Sequence, residues 1–434
     1  MGMEFNQIAA LVVLVAVVGV LIHGKVRSDV AALTAAAALL LMGVIRPVEV
    51  QGAFASPAVI ALACLFVIAY AIELSGLLGL LIRQATALCA RLGAAGLWLV
   101  IVLCGGASAF LNNTPIVVLA APVVRDVATS LNLAPKRFLI PLSYITIMGG
   151  ACTLIGTSTN LLVNDMARNA GQPVFSLFEI TPVGLIIAAA GGLYLFLIGG
   201  RLLAGRADEE ATVYGPHEQT GDGLLGDVEL FAVDRPFDLR RAAISLVVFA
   251  GVIIAAAMGI APIAASAFAG AVILILLRVI SPEEAYAGLR PEVLLLIAGM
   301  VVVGLSIEVT GLAASGTGLL IDVIRPFGPL VALAILYGVT LFATELLSNA
   351  AVAVLITPVA VALADSLGVD PRPFLVAVMM AASAAFATPF GYQTNVLVFQ
   401  VGKYKYMDFV RVGVPLNLVT WIAGVIAIPV FFPF

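Results

Sequence analysis

The chain has 434 residues, of which 62% are hydrophobic and 11% charged, and its formal net charge is −4. Soluble domains are about half apolar and about a quarter charged, so this composition excludes a soluble globular protein and indicates many membrane spans. The small net charge gives no sign of a nucleic-acid partner, and two histidines with four cysteines in apolar segments make a catalytic metal or organic cofactor unexpected.

The first half, residues 1–202, contains apolar runs that match the roughly 20 residues a membrane span needs. The start carries an acid and no basic residue, so a retained first helix is predicted rather than a signal peptide. Two runs carry polar interruptions: FLNNTP predicts a re-entrant helical hairpin, and IGTSTN predicts a broken helix. The predicted elements are spans 7–23, 30–45 and 57–75, an interfacial arm 76–92, the hairpin 95–130, the broken helix 138–170 and a span 178–200.

A polar segment, 203–240, is predicted to be a linker to the second half, 241–434. That half again contains a long run interrupted by LLSNAA and another interrupted by FGYQTN. The predicted elements are spans 242–260, 262–278 and 292–309, an arm 311–325, a hairpin 329–365, a broken helix 373–400 and a last span 411–432.

The two halves repeat one another. IRPVE at 45–49 matches ISPEE at 280–284, and GTSTNLLV at 156–163 matches GYQTNVLV at 391–398, both with a shift of 235 residues. LNNTPIVVLAAP at 111–122 matches LSNAAVAVLITP at 347–358 with a shift of 236. A register kept within one residue over more than 110 positions predicts an internal duplication.

The distribution of lysine and arginine predicts the orientation of the repeat. If each hairpin enters and leaves on the same side of the membrane, each half crosses the membrane five times. Because five is odd, the second half then starts on the opposite side from the first and is inverted. With both termini outside, 17 of the 21 basic residues fall on the linker side and four, Arg46, Arg168, Arg325 and Arg372, on the other. Because cytoplasmic loops are rich in basic residues, the linker is predicted to be cytoplasmic and the repeat inverted.

The four interruptions predict a binding site near the membrane midplane. Irregular backbone is tolerated there only where it faces a polar cavity, and paired broken helices in inverted repeats are typical of secondary transporters. Asn113 or Thr114 is expected to cap the second hairpin helix, and Thr159-Asn160 and Thr394-Asn395 the second halves of the broken helices. These helix starts are expected to contact an anion.

No lysine or arginine lies in these tips, so a bound anion would depend on helix ends and co-bound cations. Glu345 is the one acid close to a tip, and two interpretations remain open for it: a cation or proton site, or a structural role against a helix start. Glu73 and Glu308 recur before a glycine in both halves and are interpreted as anchors of the arms.

The motifs SAFLNNTP, TELLSNAA, GGACTLIGTSTN and FATPFGYQTN resemble those of the divalent anion/sodium symporter family over nearly the whole chain. The resemblance implies a homodimer with a scaffold domain and an elevator-like transport domain. It also implies two sodium sites and a substrate site. These would use Ser108, Asn113 and Gly156 for the first sodium ion, Thr344, Asn349 and Ala387 for the second, and Asn112, Asn113, Thr114, Ser348, Asn349 and Thr388 for the substrate.

One position departs from the family pattern: Ala350 stands where dicarboxylate carriers of the family have a hydroxyl residue. The sequence is therefore interpreted as a sodium-coupled symporter for sulfate or a C4-dicarboxylate, in the lipid bilayer of a bacterial inner membrane. Three alternatives remain: a sodium/proton antiporter or arsenite-type carrier of the same superfamily that titrates Glu345, a passive anion channel, and an intramembrane enzyme. The last is the weakest, because the sequence contains no nucleophile–base pair.

Overall fold

The structure, a computed structural model, describes residues 5–23, 26–77, 79–81, 84, 92–200, 202–203, 236–312 and 328–434. Most of the linker 203–240, most of the arm 76–92 and nearly all of the arm 311–325 lie outside the described residues. Within the described ranges the chain is helical, and six helices are long and apolar enough to cross a membrane. The chain is therefore an all-α polytopic membrane protein, as the composition predicts.

The helices keep chain order. The first half contains α1 (Phe5–His23), α2 (Ser28–Leu41), α3 (Pro47–Phe54), α4 (Pro57–Leu74), α5 (Ala94–Ser108), α6 (Asn113–Ser130), α7 (Lys136–Ala151), α8 (Ser158–Asn169) and α9 (Thr181–Tyr194), which continues as a π turn, Leu195–Gly199. The second half contains α10 (Leu239–Ala257), α11 (Ile263–Leu276), α12 (Pro282–Gly288), α13 (Pro291–Val309), α14 (Gly328–Ala343), α15 (Asn349–Leu367), α16 (Arg372–Ala382), α17 (Gln393–Val401) and α18 (Tyr406–Phe431).

Helix packing separates two groups. The framework helices are α1–α4 and α10–α13: α2 packs on α13, and α4 packs on α10 and α11. The tip-bearing helices are α5–α9 and α14–α18: α5 packs on α7, α14 on α16, and α9 on α18. The groups meet where α13 contacts α8 and α15 and where α4 contacts α8. Four interruptions therefore lie in one group, beside two helices of the other.

Small residues allow the tip-bearing helices to approach closely. A methyl group placed on Gly149 of α7 would lie 2.0 Å from the Gly105 carbonyl oxygen of α5. One placed on Gly413 of α18 would lie 1.9 Å from the carbonyl oxygen of Phe386, which follows α16. Since helix association in lipid depends on close packing, these glycines fix the hairpins and breaks at short range.

Candidate functional site

A cavity of about 540 Å³ lies between the framework and the four interruptions. Apolar residues of α4 and α13 form one wall, and the tips and breaks form the other. Among the described lining residues, Arg290 carries the one basic side chain and Glu345 the one acidic side chain. The polar lining residues are Asn112, Thr114, Thr157, Ser158, Thr159, Arg290, Glu345, Ser348, Asn349, Tyr392 and Gln393.

The first tip places a helix start on this cavity. Asn112 precedes α6, and its side-chain oxygen accepts a hydrogen bond from the Thr114 backbone N–H at 3.1 Å. The expectation that Asn113 or Thr114 caps this helix was wrong, because Asn112 is the last residue with extended backbone and therefore takes the capping position. The Thr114 hydroxyl instead donates to Gln393 Oε1 at 3.1 Å.

Asn113 is 2% exposed and lies behind the tip. Its side-chain oxygen accepts a hydrogen bond from the Ser108 hydroxyl at the end of α5. Its amide nitrogen donates to the Tyr392 hydroxyl at 2.8 Å, so both ends of the amide have partners. The tip is thus connected to the second half of the chain, since Tyr392 precedes α17.

Backbone oxygens converge beside Asn113. A point one bond length from Gly156 Cα, where a side chain would begin, lies 2.4 Å from the Gly150 carbonyl oxygen, 2.8 Å from that of Ala109 and 2.9 Å from that of Ser108. The corresponding point at Gly150 lies 2.7 Å from Asn113 Oδ1 and 3.1 Å from the Gly156 carbonyl oxygen. We call Ser108, Ala109, Asn113, Gly150 and Gly156 the first oxygen cluster. Unwound carbonyls with asparagine and hydroxyl oxygens are the ligands that transporters offer to sodium.

The first break, between α7 and α8, is held by its own side chains. Thr157 caps α8 by accepting a hydrogen bond from the Thr159 backbone N–H at 3.4 Å. Asn160 was expected to cap this helix, but it lies in the first turn, fully buried, and donates to the Thr153 carbonyl oxygen at 2.9 Å and to that of Ala151 at 3.4 Å. Thr159-Asn160 therefore does not cap α8. Asn160 stabilises the unwound backbone, whose carbonyls have lost their helical donors.

The second tip has a similar arrangement. Ser348 caps α15 and accepts a hydrogen bond from the Ala351 backbone N–H at 3.3 Å. The Thr344 hydroxyl lies 2.8 Å from Asn349 Oδ1 and 2.7 Å from the Ala382 carbonyl oxygen. Because a hydroxyl has one hydrogen, Thr344 can donate to only one of these two oxygens at a time. We call Thr344, Asn349 and Ala382 the second oxygen cluster.

Glu345 spans the second break. Its Oε1 accepts hydrogen bonds from the backbone N–H groups of Phe386 at 2.8 Å and Ala387 at 2.7 Å, and from Asn417 Nδ2 at 2.8 Å. Its Oε2 accepts from the Thr388 backbone N–H at 2.9 Å and from the Thr388 hydroxyl at 3.0 Å. Five donors and no acceptor suit an ionised carboxylate that holds the unwound segment. The structure thus favours the structural interpretation of Glu345.

Thr394 and Asn395 also lie behind the cavity wall. The residue before α17 is Tyr392, and its side chain makes no capping hydrogen bond, so Thr394-Asn395 does not cap the helix as expected. Asn395 donates to the carbonyl oxygens of Ala385 at 2.8 Å and Thr388 at 3.2 Å. Ser143 of α7 contacts both Thr394 Oγ1 at 2.8 Å and Asn395 Oδ1 at 2.7 Å. These residues join the two breaks.

Hydrogen bonds recur at positions 235 residues apart. The Gly156 backbone N–H donates to Thr153 Oγ1 at 3.1 Å, and the Gly391 backbone N–H donates to Thr388 Oγ1 at 3.1 Å. The amides of Asn160 and Asn395 each donate to the carbonyl of that threonine. The same side chains therefore stabilise the same unwound shape in both halves.

The structure separates the predicted residues into two sets. Five of the predicted substrate residues line the cavity, namely Asn112, Thr114, Thr159, Ser348 and Asn349. The others are not among its lining residues: Asn113, Asn160, Thr394 and Asn395 are buried behind its wall, and Thr388 is half-buried against Glu345. The backbone of Ala387 was expected beside Thr344 in the second sodium site, but its N–H donates to Glu345 instead. The carbonyl oxygen that lies next to Thr344 is that of Ala382.

Sequence reasoning missed Thr153, Arg290, Tyr392 and Gln393. The repeat register would have found Thr153, because it matches Thr388 at a shift of 235. Arg290 stands immediately before α13, far from every tip motif in sequence, so only the fold brings it to the cavity. Tyr392 and Gln393 stand at the positions that Thr157 and Ser158 occupy in the first half. A difference in residue type between the two repeats does not by itself indicate a binding role.

Comparison with known proteins assigns the family. The family model described as citrate transporter (CitMHS) matches residues 17–370 and 347–433. The chain belongs to the citrate transporter family. It is 25% identical over 91% of its length to an uncharacterized transporter, sll0640, of Synechocystis, and covers 92% of that protein.

Shorter matches reach relatives with named ions and substrates. The chain is 39% identical over 111 residues to a probable sodium/sulfate cotransporter of Chlamydomonas reinhardtii, which is 24% of this chain and 12% of that protein. It is 32% identical over 136 residues to the sodium-dependent dicarboxylate transporter SdcS of Staphylococcus saprophyticus, which is 31% of this chain and 26% of that protein.

The fold has a solved counterpart. The crystal structure of the YdaH transporter of Alcanivorax borkumensis, described as having an unusual topology, superposes with a TM-score of 0.61. The superposition covers 88% of this protein and 86% of the YdaH chain at 15% sequence identity, so the similarity concerns the fold alone. This member of the citrate transporter family is a membrane transporter and not an enzyme, as the sequence predicts.

Proposed function

We propose that the protein is a sodium-coupled symporter of a small divalent anion, sulfate or a C4-dicarboxylate, in a bacterial plasma membrane. One observation carries this proposal: two oxygen clusters, built at equivalent positions of the two tips, lie beside a single cavity. The tip-bearing helices would move as one body against the framework, exposing the cavity to each side in turn. This elevator-like movement is supported by the separation of the two helix groups.

The cavity suits an anion. The helices α6 and α15 both begin on it, at Asn113 and Asn349, and helix starts combine free N–H donors with about half a positive charge. The Asn112 amide and the Ser348 hydroxyl add donors without a fixed charge. With Arg290 as the one basic group among the described lining residues, co-bound cations would supply the remaining positive charge, which is a physical reason for coupling.

Sodium as the coupling ion is supported by the chemistry of the two clusters and by the names of the partial relatives. Each cluster combines a hydroxyl, an asparagine oxygen and backbone carbonyl oxygen: several carbonyls in the first cluster, and in the second the Ala382 carbonyl at the end of α16. The relatives that match over part of this chain are named for sodium/sulfate and sodium-dependent dicarboxylate transport. Ala350, which contributes no hydroxyl at the second tip, favours sulfate over a dicarboxylate.

The same proposal includes the inverted repeat of five spans a half, with both termini outside and the linker in the cytoplasm. It is supported by the basic residues and by the hydrogen bonds that recur at a shift of 235. A homodimer is also proposed, on the family resemblance.

The test is uptake of labelled sulfate and labelled succinate by proteoliposomes, with and without an inward sodium gradient. The proposal expects saturable uptake of at least one anion that falls to the level of empty liposomes when potassium replaces sodium. Uptake that is neither saturable nor sodium-dependent would identify a passive channel.

Asn113→Ala and Asn349→Ala are each expected to raise the sodium concentration for half-maximal uptake about tenfold or more. Each removes one oxygen from a cluster, and a single interaction with a charged group contributes about 1.5–3 kcal/mol. The measurement is a sodium titration of initial uptake rate at fixed anion. Asn169→Ala, at an exposed asparagine of α8, is the control. If either variant has the same sodium requirement as wild type, the asparagine that it replaces is not a sodium ligand.

Arg290→Gln is expected to raise the KM for a divalent anion about five- to thirtyfold with little change in the maximal rate. Arg290 lines the cavity from the framework side, and a single charge–charge interaction across partly hydrated space contributes about 1–2 kcal/mol. Since salt screens such an interaction, the KM difference from wild type should shrink at high ionic strength. Arg290→Lys, which keeps the charge, should retain most of the affinity. An Arg290→Gln KM equal to that of wild type at low ionic strength contradicts the role.

A further inference from the structure

Tyr392 breaks the symmetry of the site. At the matching position of the first half stands Thr157, which caps a helix through its hydroxyl, whereas Tyr392 makes no capping bond. The tyrosine reaches across the repeat instead, and its hydroxyl lies 2.8 Å from Asn113 Nδ2 in the first tip. Its side chain also lines the cavity. Tyr392 is therefore in contact with the first oxygen cluster and with the cavity at once.

The contact fixes which way the Asn113 amide faces. Asn113 Nδ2 donates to Tyr392, so Oδ1 turns toward Ser108 and is the nearer of the two amide atoms to the point beside Gly150, at 2.7 Å against 3.1 Å for Nδ2. Without an acceptor at Tyr392, the amide could rotate and present N–H groups to the carbonyl oxygens of the cluster. An amide nitrogen has no lone pair to offer to a cation.

The tyrosine hydroxyl keeps a hydrogen of its own. Because the oxygen accepts from Asn113, its hydrogen can be donated on another side, where the Thr157 side chain is a hydrogen-bond partner and Thr157 and Tyr392 both line the cavity. An anion in the cavity can take that hydrogen bond. A series of hydrogen bonds then connects the anion through Tyr392 and Asn113 to the first oxygen cluster, and hydrogen bonds in such a series polarise one another.

We propose that Tyr392 is a positioning residue that orients Asn113 as a cation ligand and couples cation binding at the first oxygen cluster to anion binding in the cavity. This rests on the proposed symport function. The coupling is specific to the first tip, because in the described part of the chain Asn349 Nδ2 makes no corresponding hydrogen bond with the first break. Thr157, the residue that matches Tyr392, is too short to provide the same reach.

The test is Tyr392→Phe in the full chain, with sodium titrations read in two ways. The first is the thermal midpoint of the detergent-solubilised protein without anion, since a ligand that binds only the folded state raises that midpoint. The second is sodium-dependent uptake in proteoliposomes. Tyr337→Phe is the matched control, because the Tyr337 hydroxyl is fully buried and has no hydrogen-bond partner among the described residues.

The expected result is that Tyr392→Phe needs about two- to tenfold more sodium than wild type for the same midpoint shift, the range of one lost hydrogen bond. Added sulfate or succinate should lower the sodium requirement of wild type and of Tyr337→Phe, and lower that of Tyr392→Phe less. In the Asn113→Ala background, Tyr392→Phe should add no further sodium requirement, because the amide that it orients is gone.

Two outcomes overturn this role. One is an unchanged sodium requirement with a raised KM for the anion, which would make Tyr392 a substrate contact only. The other is additive effects of Tyr392→Phe and Asn113→Ala. Absence of any sodium effect in wild type would instead refute the proposed function itself, so the two failures are distinguishable. A lowered sodium-free midpoint identifies a general folding defect, and the comparison with Asn113→Ala then decides the role.

Discussion

Gly156→Ala is expected to reduce sodium-dependent uptake strongly. A methyl group at this position would lie 2.4 Å from the Gly150 carbonyl oxygen and 2.8 Å from that of Ala109, and neither atom belongs to a flexible side chain. Backbone would have to move, and overpacking of this kind costs about 1–3 kcal/mol. The displaced carbonyls belong to the first oxygen cluster, so we expect sodium affinity and maximal uptake each to fall about tenfold or more.

The experiment compares Gly156→Ala with Gly106→Ala. Gly106 lies in α5, three residues before Ala109, and a methyl group placed there meets nothing within 4 Å. Both variants add the same atoms to the same group of helices, so a difference in sodium-dependent uptake isolates the oxygen cluster. Equal uptake by the two variants contradicts the cluster as the place of cation binding.

Glu345→Gln is expected to lose transport and to lower the thermal midpoint by several degrees. The carboxylate accepts five hydrogen bonds across the second break, and a glutamine has one oxygen and two further donors in its place. Two or more donors would face an amide N–H, and each lost bond to a charged group contributes about 1.5–3 kcal/mol. For two lost bonds we therefore expect destabilisation of about 3–6 kcal/mol, seen as loss of folded protein on heating.

Glu308→Gln provides the matched comparison, since it removes an acid at the end of α13 that does not line the cavity. The same pair of variants separates symport from antiport. If Glu345 titrates during transport, wild type should exchange sodium for protons without any anion, and Glu345→Gln should stop that exchange while keeping its thermal midpoint. An unchanged midpoint in Glu345→Gln contradicts the structural role.

The helical membrane fold could be predicted from the sequence because hydropathy and span length are local properties. Each interruption was placed from polar residues such as those in FLNNTP and FGYQTN, and the second helix of each pair begins within those segments, at Asn113 and Gln393. The first helix of each pair ends earlier, at Ser108 and Ala382, where the sequence is still apolar and gives no such signal. The position of the caps could not be predicted to the residue. Asn112 and Asn113 have the same capping chemistry, and only the backbone angles decide between them.

Contacts between distant segments were beyond sequence reasoning. Asn160 and Asn395 looked like capping residues, but their amides bond to carbonyls of the preceding break, an outcome that depends on how the chain turns there. The cross-repeat pair of Asn113 and Tyr392 is separated by 279 residues, and Arg290 reaches the cavity from another helix group. A pattern in one stretch of sequence carries no information about contacts with residues far away in the sequence.

The central claim, that sodium and an anion move together, is tested most directly by sodium movement driven by the anion. Proteoliposomes with equal sodium inside and outside receive an inward gradient of sulfate or succinate, with valinomycin and potassium holding the membrane potential at zero, and uptake of radioactive sodium is followed. For a symporter we expect transient accumulation of sodium above equilibrium, which is absent without the anion gradient and reduced in Asn113→Ala. Anion entry that saturates but moves no sodium would contradict it.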